Sequence, residues 1–299
     1  MMFSQYFGNY LLNKKAVTTE ELKEVLEYQK SIHVKLGVLA IDFGYMDSTQ
    51  VQEVHQLQMK IDKKFGEIAL QLGYLNEQQL QDLLSTQKLG HLQLSQALID
   101  KKHFTFDQLQ KELENYKQDC QLTNEQIENL QQGDIDKIID VFLKFENSIH
   151  SKIYSDYTAL MLKSIIRLLD ATPRVEKNPS RDNYTAEWLV YQKIYGEYNL
   201  FTGIAADKET FLTLASKFAG QKFTVIDEMV KSSVAEFLSV HNGIFLVNMS
   251  NRNVELQMDP QILYQQAKIE NNEETYITPI YLIDGKFDLI ISNTNFLSP

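Results

Sequence analysis

Apolar and polar positions fall into two regimes along the chain. Through the first hundred residues the apolar positions return with a fixed period. Gly8, Gly37 and Gly66 stand 29 residues apart, and a further 29 reaches Ser95. Seven residues beyond each anchor come Lys15, Gly44, Gly73 and Lys102, and nine beyond come the apolar Val17, Met46, Leu75 and Phe104. Ten beyond stand Thr18, Asp47, Asn76 and Thr105, all residues that cap helix N-termini. Fourteen beyond come Leu22, Val51, Leu80 and Leu109, and twenty-one beyond come Gln29, Gln58, Gln87 and Tyr116. Agreement at this many positions predicts four copies of one unit: a short helix, a turn at the second anchor, and a capped longer helix. A single such hairpin cannot bury its apolar face, so the copies must stack.

Beyond residue 117 the period is lost. Residues 118–143 read as a helical connector, with Thr123 and Gln126 as a capping box and Gln131-Gln132-Gly133 as its break. From residue 144 onward helical and strand patterns alternate. Ile149–Leu169 carries apolar residues at helical spacing, and 173–183 reads as a loop. Tyr184–Ala206 reads as a hairpin around Gly196. Asp207 caps a helix over Lys208–Ala219 that Gly220 ends, and a second helix is predicted from about Val225 to 242, with Thr224 and Asp227 as its capping box. Val254, Leu256 and Met258 alternate as a strand before Asp259-Pro260. Tyr276–Ile283 and Lys286–Ser292 flank the hairpin signal Asp284-Gly285. The pattern predicts two domains: an all-α helical repeat over 1–117 and, over 144–299, a two-layer α/β (α+β) domain whose largely antiparallel sheet is covered by helices on one face.

The helix after residue 225 carries the candidate chemistry. At 100° per residue, Glu236 lies about 40° and Ser239 about −20° from Ser232, so the three share one stripe. Ile226, Val230, Ser233 and Phe237 fall on roughly the opposite face. The bland alternative is that the stripe is a solvated face.

Composition narrows the field. A net charge of −11 argues against nonspecific binding to nucleic acid or an anionic membrane surface. A single cysteine, Cys120, excludes an internal disulfide framework and fits a reducing, cytoplasmic setting. Neither a secretory leader nor a membrane-spanning run is expected. The six histidines (33, 55, 91, 103, 150 and 241) show no metal-ligand spacing, and no P-loop, nucleophile elbow or Rossmann fingerprint is present. Trp188 and His241 read as core residues.

Two resemblances emerge from these motifs. The run Ser232, three residues, Glu236, two residues, Ser239, with Pro260 downstream, resembles the signature helix of the CheC/CheX family of chemotaxis phosphatases. That family carries Asn where this chain has Ser239. The first helix lacks a second Glu-x-x-Asn, so the chain is similar to the one-site CheX type. The resemblance implies a phosphorylated CheY-type receiver as partner and a homodimer. It also implies a role for Glu236 in docking on the receiver's lysine, with Ser239 at the water-orienting position. A hydroxyl there stops about 2 Å short of an amide, so weak or lost aspartyl-phosphate phosphatase activity is expected. An active phosphatase with another residue replacing the amide is the alternative.

The repeats, Lys35-Leu36-Gly37 through Gly44-Tyr45-Met46 and Lys64-Phe65-Gly66 through Gly73-Tyr74-Leu75, resemble the MshEN-type N-terminal domain of type II secretion and type IV pilus ATPases. Some of its members bind cyclic di-GMP, which implies a nucleotide site at Lys35, Gly37, Gly44, Lys64, Gly66 and Gly73. Lysine replaces the usual arginine, whose planar fork grips phosphate and stacks on bases. The other reading is that the glycines serve turns and packing in a protein-interaction platform.

Overall fold

The computed structural model of the chain describes residues 2–29, 34–58, 63–85, 90–143, 145, 151–175, 183–270 and 274–297. Gln87, His33, Ile149, His150 and most of the 173–183 loop lie outside these. The chain divides into two compact units, Met1–Asp134 and Ile135–Pro299.

The first unit is helical: α1 (Met2–Asn13), α2 (Thr19–Tyr28), α3 (Leu36–Asp42), α4 (Ser48–Gln58), α5 (Phe65–Gln71), α6 (Glu77–Ser85), α7 (Gly90–Asp100), α8 (Phe106–Asp119) and α9 (Asn124–Gln132). The turns after α1, α3, α5 and α7 share one geometry. Lys15, Gly44, Gly73 and Lys102 all take positive φ, between 57° and 73°. The N–H of the next residue donates to a carbonyl five back: Ala16 to Leu11, Tyr45 to Ala40, Tyr74 to Ala69, His103 to Leu98. Glycine adopts this conformation freely, whereas the two lysines hold it at a cost of about 1–2 kcal/mol each. The next helix then opens on a reciprocal cap. Thr18, Asp47, Asn76 and Thr105 accept from the N–H of Glu21, Gln50, Gln79 and Gln108, whose side chains accept from the capping residue's own N–H.

Packing of the two helices within each copy uses the first set of anchors. A Cβ on Gly8 would come within 2.9 Å of Leu22, one on Gly37 within 2.8 Å of Val51, and one on Gly66 within 2.8 Å of Leu80. The last helix of the unit, α9, ends at Gly133, which is left-handed at φ 72°.

The second unit contains α10 (Ile135–Phe142), α11 (Ser151–Leu168), α12 (Lys208–Ala219) and α13 (Glu228–Ser250). Its strands are β1 (Arg174–Val175), β2 (Tyr184–Gly196), β3 (Leu200–Ala206), β4 (Leu256–Met258), β5 (Ile262–Ile269), β6 (Thr275–Leu282) and β7 (Gly285–Ser292). They form one sheet in the order β1-β6-β7-β3-β2-β4, with β5 also on β2, and these pairings are antiparallel. Helix α12 packs on β7, β2 and β3, and α13 on β2, β4 and β5.

Three details differ from the pattern-based expectation. Helix α13 starts at Glu228, because Asp227, not Thr224, is the cap: its carboxylate accepts from the Val230 N–H at 2.9 Å. Val225 and Ile226 therefore lie in the preceding loop, and the helix runs on past residue 242 to Ser250. Val254 falls outside β4, which begins at Leu256. A further strand, β5, occupies Ile262–Ile269, where no alternation marks it. It lies along β2 with most of its side chains at least partly exposed. From Ile194 to Tyr191 is three steps on β2, and their partners Met258 and Ile262 are four steps apart, so Asp259-Pro260-Gln261 forms a bulge between β4 and β5. Proline is tolerated there because an edge strand does not need every N–H.

Candidate functional site

Helix α13 is held down along one side. Val230, Val234, Phe237, Leu238, His241, Phe245 and Met249 are all buried. The stripe opposite is graded: Ser232 and Glu236 are exposed, and Ser239 is half-buried. Among the described residues, the side chains of Ser232, Glu236 and Ser239 make no hydrogen bond or ion pair. Ser232 and Glu236 border an open groove of about 740 Å³ that runs from the end of α12 across the start of α13 to the start of β5. Lys231 and Glu228 stand on the same wall and pair at 2.7 Å. Ser233 turns back onto its own helix, its Oγ donating to the Met229 carbonyl at 2.7 Å. Ser239 is not part of the groove wall.

Asn242, three residues past Ser239, is fully buried and fully engaged. Its Oδ1 accepts from the Tyr157 hydroxyl at 2.6 Å, and its Nδ2 donates to Gln192 Oε1 at 2.8 Å and Thr202 Oγ1 at 3.1 Å. The Thr202 hydroxyl donates in turn to the Gln192 carbonyl at 2.9 Å. This amide joins α13 to α11, β2 and β3 and has no freedom to serve an external water. Burial pushes the Tyr157 phenol well above its ordinary range. Next to Asn242, His241 packs edge-on to the Tyr157 ring at 4.5 Å, with Ser164 Oγ 3.3 Å from Nδ1. Burial alone lowers its pKa to about 3, so the imidazole is neutral. Trp188 is buried against Phe211.

In the first unit the four candidate glycines serve packing and turns, Lys35 is in an ion pair, and the Lys64 side chain is exposed. Gly37 and Gly66 face Val51, Phe65 and Leu80 side chains, and Gly44 and Gly73 are the left-handed turn residues. The Lys35 ammonium pairs with Asp100 at 2.8 Å, and its N–H donates to Gln96 Oε1 at 3.1 Å. Lys64 is exposed, and its N–H donates to Glu67 Oε2 at 3.0 Å. The glycine spacing is thus accounted for by packing and turn geometry.

Pattern reading missed Gln261. It follows Pro260 in the bulge and lines the same groove as Ser232 and Glu236. No local signal marks it, because its place depends on how β5 lies on β2.

No protein-family model matches this chain, and no curated protein matches it. Among solved structures it is similar to the chemotaxis protein CheX from Desulfovibrio desulfuricans, at 14% identity and TM-score 0.40 over 49% of this chain and 99% of that one. It is also similar to CheX from Vibrio vulnificus, at 12% identity and TM-score 0.42 over 49% and 99%. A third similarity is to the CheX-CheY-BeF3-Mg+2 complex from Borrelia burgdorferi, at 19% identity and TM-score 0.39 over 46% and 96%. The functional reading rests on α13 itself.

No helix among the described residues is long and apolar enough to cross a membrane.

Proposed function

We propose that this chain recognises the phosphorylated receiver domain of a chemotaxis-type two-component system through the exposed stripe of α13. Glu236 docks on the receiver's active-site lysine, and Ser232 flanks the phosphoryl group. The observation that carries this reading is the state of Glu236. It stands exposed on a helix anchored along its other side, with no ion-pair partner among the described residues, beside an open groove. Ser239, short and half-buried, is a poor holder of the attacking water, and hydrolysis through it is weak or absent. Positioning is the main catalytic resource in such a reaction, so a misplaced donor costs most of the rate.

The test is a binding measurement. Native protein and Glu236→Ala are titrated with a CheY-type receiver, unmodified and beryllofluoride-activated. Native protein is expected to bind the activated form preferentially, and Glu236→Ala to lose several-fold in affinity. Equal binding of both receiver forms, or indifference to Glu236→Ala, removes the reading.

A further inference from the structure

We propose that the side-chain amide of Gln261 holds the attacking water over Glu236, in the role that Ser239 is too short to fill. This rests on the receiver-directed reading of α13.

The groove wall narrows the choice by chemistry. A water attacking an acyl phosphate needs a neutral group that accepts one of its hydrogens and so aims its lone pair at phosphorus. A donor on the same group can then meet a phosphoryl oxygen. The Glu228 and Glu236 carboxylates accept only and repel the phosphoryl dianion. Lys231 donates only and is paired with Glu228. Ser233 is spent on the Met229 carbonyl. Among the described residues, Ser232 and Gln261 are the two uncharged polar side chains on the groove wall that make no hydrogen bond within the chain. The serine has the same short reach as Ser239, and Gln261 is the one amide. It is half-buried, which limits the orientations it loses on binding.

Its backbone is fixed from both sides. Asp259, two residues earlier, donates its N–H to the Lys193 carbonyl at 2.9 Å and accepts at its own carbonyl from Gln192 Nε2 at 2.9 Å. Ile262, the next residue, is in register with Tyr191 on β2. Gln192 is in turn gripped by Asn242 Nδ2 at 2.8 Å. The helix that carries Glu236 therefore also pins, through the buried Asn242 and Gln192 amides, the bulge that carries Gln261. One hydrogen-bonded path links the bulge to α13.

In the step itself the water oxygen bonds to phosphorus as the phosphorus–oxygen bond to aspartate breaks. The electron pair leaves on the aspartate carboxylate, and both water protons end on the released phosphate. Gln261 orients and is unchanged.

The experiment follows loss of phosphate from a CheY-type receiver phosphorylated with phosphoramidate, using the full chain as native protein, Gln261→Ala, Gln261→Glu and Ser239→Ala. Binding to the beryllofluoride-activated receiver is measured in parallel. Gln261→Glu keeps the length of the side chain while losing its donor. Native protein is expected to shorten the phosphorylated lifetime. Both Gln261 variants should lower the maximal rate by about tenfold or more, the scale of losing one oriented hydrogen-bonding group, with half-saturating receiver concentration within about twofold of native. Ser239→Ala should lower the rate far less than either Gln261 variant. If native protein accelerates hydrolysis and the Gln261 variants match it, Gln261 is not the water-holding group. Activity that instead disappears in Ser239→Ala assigns the role to the serine and overturns the proposal. Native protein that binds the activated receiver without accelerating hydrolysis overturns the proposal and leaves the receiver reading standing. Failure to bind the activated receiver removes both.

Discussion

Asn242 and His241 sit side by side on α13, and both are fully buried. Each illustrates how burial decides what a polar side chain can do. Asn242 satisfies three partners, so removing it takes away the Tyr157 hydroxyl's acceptor and the Gln192 Oε1 donor, while Thr202 and Gln192 Nε2 keep their other bonds. Asn242→Ala is expected to destabilise the second unit by about 2–4 kcal/mol, the scale of buried groups left unpaired, measured by urea denaturation. His241 is neutral in the folded chain and titrates near 6.5 when unfolded. The unfolded state therefore takes up a proton first as pH falls. The contribution to stability is whole above about pH 6.5 and drains away on the way down to about 3. Between pH 7 and pH 5 this amounts to about 2 kcal/mol. His241→Gln should show a shallower loss of denaturation midpoint over the same interval. Parallel curves for native and variant would show that His241 is not the titrating group.

At the scale of elements, the helix pairs of the first unit show two distinct uses of glycine. Gly37 lies inside α3 with the stiff, buried Val51 where its side chain would be, and the Phe65 ring within 3.3–3.4 Å. Gly66 faces Leu80, which is half-buried and whose branched end can rotate away. Gly37→Ala is therefore expected to cost about 1–3 kcal/mol by overpacking. Gly66→Ala should be milder, since Leu80 can move aside, while alanine's helix propensity offsets about 1 kcal/mol of the strain at both positions. Val51→Ala in the Gly37→Ala background should recover part of the loss, and a double-mutant cycle with no coupling would refute the contact as its cause. Gly73→Ala acts through φ instead, with an expected loss of about 1–2 kcal/mol that no neighbour relieves. Helix α13 makes the corresponding point in the second unit. Ser239→Asn places an amide at the half-buried end of its stripe, where it would lie beside Glu236 one turn away. If Ser239 is the limiting group, this change raises phosphorylated-receiver turnover and Glu236→Ala cancels the gain. If Gln261 already holds the water, Ser239→Asn changes the rate little.

For the whole molecule, the division falls between Asp134 and Ile135. Helix α10 belongs with the second unit: Ile138 and Ile139 are buried, and Asp136 accepts from Lys163 on α11 through both oxygens at 2.8 Å. A fragment starting at residue 135 is expected to fold alone and to carry all binding to the activated receiver. One starting at residue 144 loses α10 and should melt at a lower temperature. Receiver binding that requires residues 1–134 would place the recognition surface elsewhere.

What the sequence determined by itself is what short-range physics writes into short stretches. The caps at Thr18, Asp47, Asn76, Thr105, Thr123 and Asp207 each depend on a side chain meeting a backbone N–H three residues on. The turns at Gly44 and Gly73 depend on one residue's φ. The last hairpin closes one residue earlier than the Asp284-Gly285 signal, with Leu282 paired to Gly285 and Ile283-Asp284 between them. The stripe of Ser232, Glu236 and Ser239 comes from helical geometry alone. Even here Asp227 outcompeted Thr224 as the cap of α13, a choice between neighbours that spacing left open. The tertiary structure decided everything that depends on a partner distant in the chain. β5 became a strand because β2 offered it a hydrogen-bonding edge, although its own residues do not alternate. Asn242 became a core residue because Tyr157, Gln192 and Thr202 converge on it from three other elements. Gln261 reached the groove because the bulge at Pro260 turns it there. Hydrogen-bond partners 40 to 85 residues away leave no periodic mark in a sequence, and only the folded chain brings them to within about 3 Å of one another.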